Sequence, residues 1–289
     1  MLTFAAPVGS VDLAVTSAVL AAAVLHAAWN ALAHAIRDQL VGFALIGSAV
    51  TVCAAGIVVA FPAPLRASWP FLAASVLLHV AYNLLLMRCY RLGEFSQVFP
   101  VARGTSPLLV ALGAAVFAGE GLPAIRLVGV LVVSLGLVTL LFAGGIPTRA
   151  SRPALAAAVL TGMVIATYTT VDGLGVRHAG SVGGYTGWLF LLQGPALPVA
   201  ALVTRRGTLW REARPHLLVG LLGGALSLAA YALVLWAQTR GALAQVAALR
   251  ETSVIIGAAI GVFVFGERFG RWRIAATIVV ATGAVLVNL

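Results

Sequence analysis

The chain has 289 residues, of which 62% are hydrophobic and only 9% charged, where soluble domains carry about 25% charged residues. A formal charge of +10 comes from 18 arginines, with no lysine, set against eight carboxylates. This composition argues against a soluble enzyme, and against a nucleic-acid binder too, because no polar domain carries a basic patch.

Apolar blocks of about 20 residues recur along the chain, the length needed to cross a hydrocarbon core of about 30 Å. Ten spans are predicted, at 12–33, 41–61, 70–89, 96–118, 127–146, 154–174, 183–204, 217–237, 243–265 and 273–289. No basic segment precedes the first, so no cleaved signal peptide is expected. Little lies between the spans, so one membrane domain is expected to fill the chain. The segment Pro147-Thr148-Arg149-Ala150-Ser151-Arg152-Pro153 reads as a linker, its prolines and arginines stopping one helix and delaying the next. It divides the chain into 1–150 and 151–289, with five spans each. Cys53 and Cys89 are isolated thiols and read as packing residues.

Twelve arginines fall in the first, third, fifth, seventh and ninth connections; Arg66, Arg126, Arg177 and Arg240 fall on the other side. Arginine-rich short loops stay cytoplasmic, so both termini are predicted extracytoplasmic. An odd number of spans per half makes the second half enter the membrane upside down relative to the first. The expected fold class is therefore an all-α membrane protein with two inverted five-helix repeats.

A repeated pattern supports this. Tyr82, Arg91, Gln97-Val98, Arg103, Thr105-Ser106 and Gly119-Glu120 recur as Tyr231, Arg240, Gln245-Val246, Arg250, Thr252-Ser253 and Gly266-Glu267, at offsets falling from 149 to 147. Arg103 and Arg250 each stand eighth in their span. Charge within the hydrocarbon costs about 2.5–3.5 kcal/mol on insertion scales and calls for a reason. Two guanidiniums near the midplane suit a carboxylate or phosphate; the alternative is a structural ion pair with Glu251 or Asp172. Glu251 reads as the better proton-coupling carboxylate, because Asp172 sits near a helix end where water reaches it. Ser106 and Ser253 read as bonding back to their own helix.

The remaining candidate substrate-binding residues are His26, Asn30, Tyr82, Tyr231 and Trp236, polar or amphipathic groups that suit a cavity for a small amphipathic molecule. Trp29, His79, Asn83, Tyr168, Thr169 and Gln193 accompany them on the same spans. Gly183 with Gly187 and Gly257 with Gly261 have the spacing of close helix approach. Glu120 and Glu267 read as a repeated cap or salt link. His34 and Asp38 read as a surface salt link beside Arg37, with no metal. No nucleotide-binding glycine loop with its lysine is present, and no catalytic constellation emerges.

The segments QVFPVARGTSPLLVALGAAVFAGE, Gln97 to Glu120, and QVAALRETSVIIGAAIGVFVFGE, Gln245 to Glu267, resemble the EamA family of the drug/metabolite transporter superfamily. The resemblance covers essentially the whole length and implies alternating access, commonly with export of amino acids, related metabolites or toxic compounds. It transfers no binding-site residues, and the family is usually drawn with cytoplasmic termini, opposite to the arginine bias here. The resulting expectation is a secondary transporter, an exporter of a small, partly anionic amphipathic metabolite such as an amino acid, in a bacterial inner membrane. Its partners would be the solute, the bilayer and a coupling proton, with no cofactor. An exporter of cationic or neutral drugs, using Glu251 and Asp172 as binding charges, and a lipid-carrier flippase subunit are the alternatives. Spans 1, 3, 4, 6, 8 and 9 are expected to line the pathway, with spans 5 and 10 outside.

Overall fold

A computed structural model describes residues 13–92, 95–104, 106–139, 152–264 and 271–289. Of the residues named above, Thr105, Pro147 to Ser151, Gly266 and Glu267 lie outside these. The described residues are helical, with no strand among them. In chain order the helices are α1 (Leu13–Ala35), α2 (Gln39–Ala60), α3 (Trp69–Leu92), α4 (Phe95–Gly104), α5 (Ser106–Phe117), α6 (Ala124–Thr139) and α7 (Arg152–Arg177). They continue as α8 (Val182–Gln193), α9 (Ala196–Arg205), α10 (Leu209–Ala213), α11 (Leu217–Gln238), α12 (Leu243–Arg250), α13 (Ser253–Phe263) and α14 (Arg271–Asn288).

Polarity is reversed relative to a soluble protein. Val52, Val59, Leu77, Phe117 and Phe263 are exposed, whereas Arg103, Asp172, Arg250 and Glu251 are buried. In lipid only hydrogen-bonded backbone is tolerated, which explains the helical content. Among the described residues six helical stretches are long and apolar enough to cross a membrane: 13–35, 39–60, 66–92, 152–177, 182–238 and 243–261. The chain is a multi-pass integral membrane protein.

Local chemistry sets the helix ends. Asp38 caps α2, its Oδ1 accepting from the amides of Leu40 at 3.1 Å and Val41 at 3.2 Å. Gly119 takes a left-handed φ of 65°, and the Glu120 amide donates back to the Ala114 carbonyl at 3.1 Å, closing α5. Two predicted spans are each interrupted. The span at 183–204 breaks at Gly194-Pro195, where proline supplies no amide for the ladder. The span at 243–265 breaks at Glu251-Thr252. There the amides of Glu251 and Thr252 tighten to the i−3 carbonyls, each at 3.1 Å, and the Thr252 hydroxyl also takes the Leu249 carbonyl at 2.8 Å.

The bundle is knitted between its halves. α1 packs along α11, α3 along α7, α2 against α8 and α11, and α6 along α14. Between lipid-facing helices there is no hydrophobic drive, so close approach through small residues does the work. A Cβ added to Gly129 would lie 2.7 Å from the Val287 nitrogen, and one on Gly283 would lie 2.6 Å from the Val133 nitrogen. α6 and α14 thus meet backbone to backbone. The spacing at Gly183 and Gly187 is used likewise: a Cβ on Gly187 would come 3.0 Å from Ile57 of α2.

Gly283→Leu is expected to lower the thermal midpoint of the purified protein, at a cost of about 1–3 kcal/mol from overpacking. Gly56→Leu, where an added Cβ meets nothing within 4 Å, should leave the midpoint unchanged in the same melting experiment.

Candidate functional site

Two layers make up the site: a buried set of charges and, beside it, a cavity walled by aromatic rings. Arg103 and Arg250 stand at or next to the C-terminal ends of α4 and α12, where the helix dipole favours a cation. Arg103 Nε donates to Glu251 Oε2 at 2.7 Å and Nη2 to Oε1 at 3.0 Å, a two-pronged fork. Its Nη1 lies 2.7 Å from His26 Nε2. A guanidinium only donates, so that ring nitrogen accepts. Arg103 and Glu251 are 1% and 0% exposed, and their ion pair joins the first half of the chain to the second. This is the structural pairing weighed above as the alternative to an anion site, and for Arg103 it is the geometry present.

Arg250 is different. Its Nη2 donates to the Thr169 hydroxyl at 3.2 Å, while its Nε is buried without a hydrogen-bond partner. Among the described residues no carboxylate forms an ion pair with it. Glu251 follows it in the chain but turns to Arg103.

Asp172 is fully buried, against the expectation that water reaches it. Although it is only five residues from the end of α7, α8 and α11 fold over it. Tyr185 donates to Oδ1 at 2.8 Å and Tyr231 to Oδ2 at 2.5 Å. Both oxygens are thereby engaged. His79 Nδ1 lies 3.9 Å from Oδ2. Counting Asp172 and Glu251 against Arg103 and Arg250, the buried layer is formally neutral.

The cavity, about 70 Å³, is bounded by six aromatic rings, those of Trp29, Phe43, Tyr82, Tyr168, Phe190 and Tyr231, with His26, His79, Asn83, Gln193 and Ser227 among them. It is well below the roughly 300–1,000 Å³ of typical small-molecule sites. Gln193 Oε1 is buried without a partner. Of the sequence candidates, His26, Tyr82 and Tyr231 line this cavity. Arg103, Asp172, Arg250 and Glu251 form the charged layer behind it. Asn30 is buried in α1, donating to the His26 carbonyl at 2.8 Å and accepting from Tyr90 at 2.7 Å. Trp236 lies apart, half-buried, with the Arg240 guanidinium 4.7 Å from its ring centre.

The lining helices are α1, α2, α3, α7, α8, α9 and α11. α2 and the α8–α9 pair replace the expected fourth and ninth spans. Their contributions, Phe43, Ile46, Gly47, Val50 and Phe190, carry no polar signal in the sequence; only the Gln193-Gly194-Pro195 break pointed there. Close approach makes room for nothing larger, since a Cβ on Gly47 would meet the Gly194 carbonyl at 2.7 Å. The serine reading fails: the hydroxyls of Ser106 and Ser253 are buried without hydrogen-bond partners. For Ser253 the nearby Leu249 carbonyl is already taken by Thr252.

The two ends of the bundle are tied differently. At one, Arg177 donates to Glu120 at 2.5 Å and to the carbonyls of Gln238 and Gly241, each at 2.8 Å, while Glu120 also accepts from the Leu243 amide at 2.8 Å. The salt link read at Glu120 is present and binds the ends of α5, α7, α11 and α12. At the other end Asp38 pairs with Arg205 rather than His34. The cavity residues of α1, and Phe43, Ile46 and Gly47 of α2, lie in the halves nearest that second end.

Residues 152–289 match the EamA-like transporter family. A solved crystal structure of a protein, 19% identical, aligns with a TM-score of 0.72 over 94% of this chain and 98% of that one, which shows a shared fold. No curated protein matches the sequence.

Glu251→Gln should destabilise the protein by about 3–5 kcal/mol, because it strands a buried guanidinium. The double variant Arg103→Met with Glu251→Gln should cost less than the sum of Arg103→Met and Glu251→Gln. Thermal or denaturant unfolding of the four proteins in a double-mutant cycle checks this.

Proposed function

We propose, because residues 152–289 match the EamA-like transporter family, a family of membrane transporters in the drug/metabolite superfamily, that the chain moves a small amphipathic metabolite, such as an amino acid, by alternating access. The observation that carries this is the cavity walled by aromatic rings and amides, in a bundle whose helix ends at one side are tied together by the Glu120–Arg177 clamp. An internal site with breakable ties between helix ends is what a carrier that exposes its site alternately to each side needs.

The proposed frame is ten spans in two inverted five-helix repeats, residues 1–150 and 151–289. Six long stretches, of which 182–238 has the length of two crossings, and three shorter apolar helices support that count. The pairing of helices supports the inversion. α1 against α11 and α3 against α7 exchange under it, and α6 against α14 maps onto itself.

Arg250 is the anchor we assign to an anionic group, since its charge lacks a carboxylate and its Nε a partner. It donates to Thr169, the residue next to the cavity-lining Tyr168 on α7. Arg250→Ala should fold normally and reduce uptake into proteoliposomes by about ten- to hundredfold, the worth of one charge-assisted hydrogen bond. Unaltered uptake across an amino-acid panel removes Arg250 from the mechanism.

A cationic solute is the second reading, favoured by the same aromatic wall with Asp172 behind it. Ligand-induced thermal shifts separate the two. A solute at 100 times its Kd stabilises by about 2.7 kcal/mol, so carboxylate-bearing compounds should raise the melting temperature under the first reading and organic cations under the second.

Alternating access requires the clamp to open. Glu120→Gln, in a Cys53→Ser background, should raise the labelling rate of a Gly241→Cys reporter by an impermeant maleimide several-fold. An unchanged rate means that this end is held by other contacts.

A further inference from the structure

We propose that His79 is the proton-binding residue that couples transport to a pH gradient, with Asp172 as its counterion across the contact between α3 and α7. This rests on the transport reading above and names its coupling site.

His79 lines the cavity. Its Nδ1 lies 3.0 Å from the Ser75 carbonyl oxygen and 3.1 Å from the Ser75 hydroxyl; the carbonyl only accepts, so the tautomer that donates to it carries its proton on Nδ1 and leaves Nε2 as the basic nitrogen. The step is a proton transfer from hydronium to Nε2, leaving water and an imidazolium. That cation is provided for on each side. Asp172 Oδ2 is 3.9 Å away. The Tyr168 ring lies 4.2 Å from the imidazole centre, tilted 32°, and the Tyr231 ring 5.2 Å away. The other groups facing it are Tyr82 on its own helix, Tyr185 of α8 acting through Asp172, and Arg250 of α12, whose charge opposes a second cation.

Glu251, preferred from the sequence, is a poorer candidate, because both its oxygens are held in the Arg103 fork and it does not line the cavity. Asp172 has the link to solute that Glu251 lacks. Tyr231 borders the cavity and donates to Oδ2, the same oxygen that faces His79. A solute that takes the Tyr231 hydroxyl releases Oδ2 to the imidazolium, so solute and proton occupancy are linked through one carboxylate oxygen.

Two measurements test this, the first independent of any substrate. In protein labelled with ¹⁵N-histidine in nanodiscs, the His79 ring signals, identified by their loss in His79→Gln among the five histidines, should switch from neutral to imidazolium between pH 8 and pH 5. Signals that stay neutral to pH 5 overturn the proposal. In proteoliposomes with a panel of ¹⁴C-labelled amino acids, an imposed gradient should drive up to about tenfold accumulation per pH unit for one coupled proton. His79→Gln and Asp172→Asn should bring the ratio of uptake with and without the gradient to one, whatever their residual rates. Retained gradient dependence in His79→Gln overturns the proposal. A titrating His79 in a wild type inert toward the whole panel supports the proton site while removing the amino-acid reading.

Discussion

A guanidinium inside an apolar bundle must find a partner or lose its place, and the fork between Arg103 and Glu251 is where this chain meets that demand. The two residues come from opposite halves of the sequence, so the pair fixes how the halves meet. It draws the end of α4 to the turn after α12 and, through His26, to α1. Glu251 also stands at the local break between α12 and α13. Held by Arg103, Glu251 is turned away from its neighbour Arg250, and the helix tightens and stops there before α13 resumes.

What remains after that pairing gives the site its chemistry. Arg250 keeps a hydroxyl partner but no carboxylate, and Asp172 keeps two tyrosine hydroxyls. Each charge stands one layer behind the cavity wall and acts on it through a neighbour: Arg250 beside Tyr168 through Thr169, Asp172 through Tyr231. The wall itself is aromatic and amide, which suits a solute with an apolar body and polar ends. Screening by water is small in such an interior, so modest movements of these side chains change their interactions by large amounts. A transport cycle needs that sensitivity.

The asymmetry between the two ends follows from ordinary helix-end chemistry. Gly119 turns the chain so that Glu120 meets Arg177, and the same carboxylate caps the start of α12. Four helix ends that would otherwise leave carbonyls and amides unsatisfied are thereby tied together. At the other end Asp38 and Arg205 join α2 to α9.

Composition and apolar periodicity were enough to read an all-helical membrane chain, because the bilayer imposes length and polarity on every span. The repeat around Arg103 and Arg250 was legible for the same reason: charges in lipid are rare and stand out. Their division of labour was not legible. The two copies differ at Gly104 and Glu251, but which guanidinium that glutamate serves is a matter of distance across the bundle. Phe43, Phe190 and Gly47 of the wall look like any lipid-facing residues in sequence, since an apolar side chain carries no mark of which way it faces. Asp172 looked wet from its place near a helix end and is dry because α8 and α11 cover it. Sequence by itself determined what must cross the membrane and which charges needed a reason. Only the tertiary structure decided which charges neutralise each other, because pairing in a low-dielectric interior depends on angstroms between helices that are far apart in the chain.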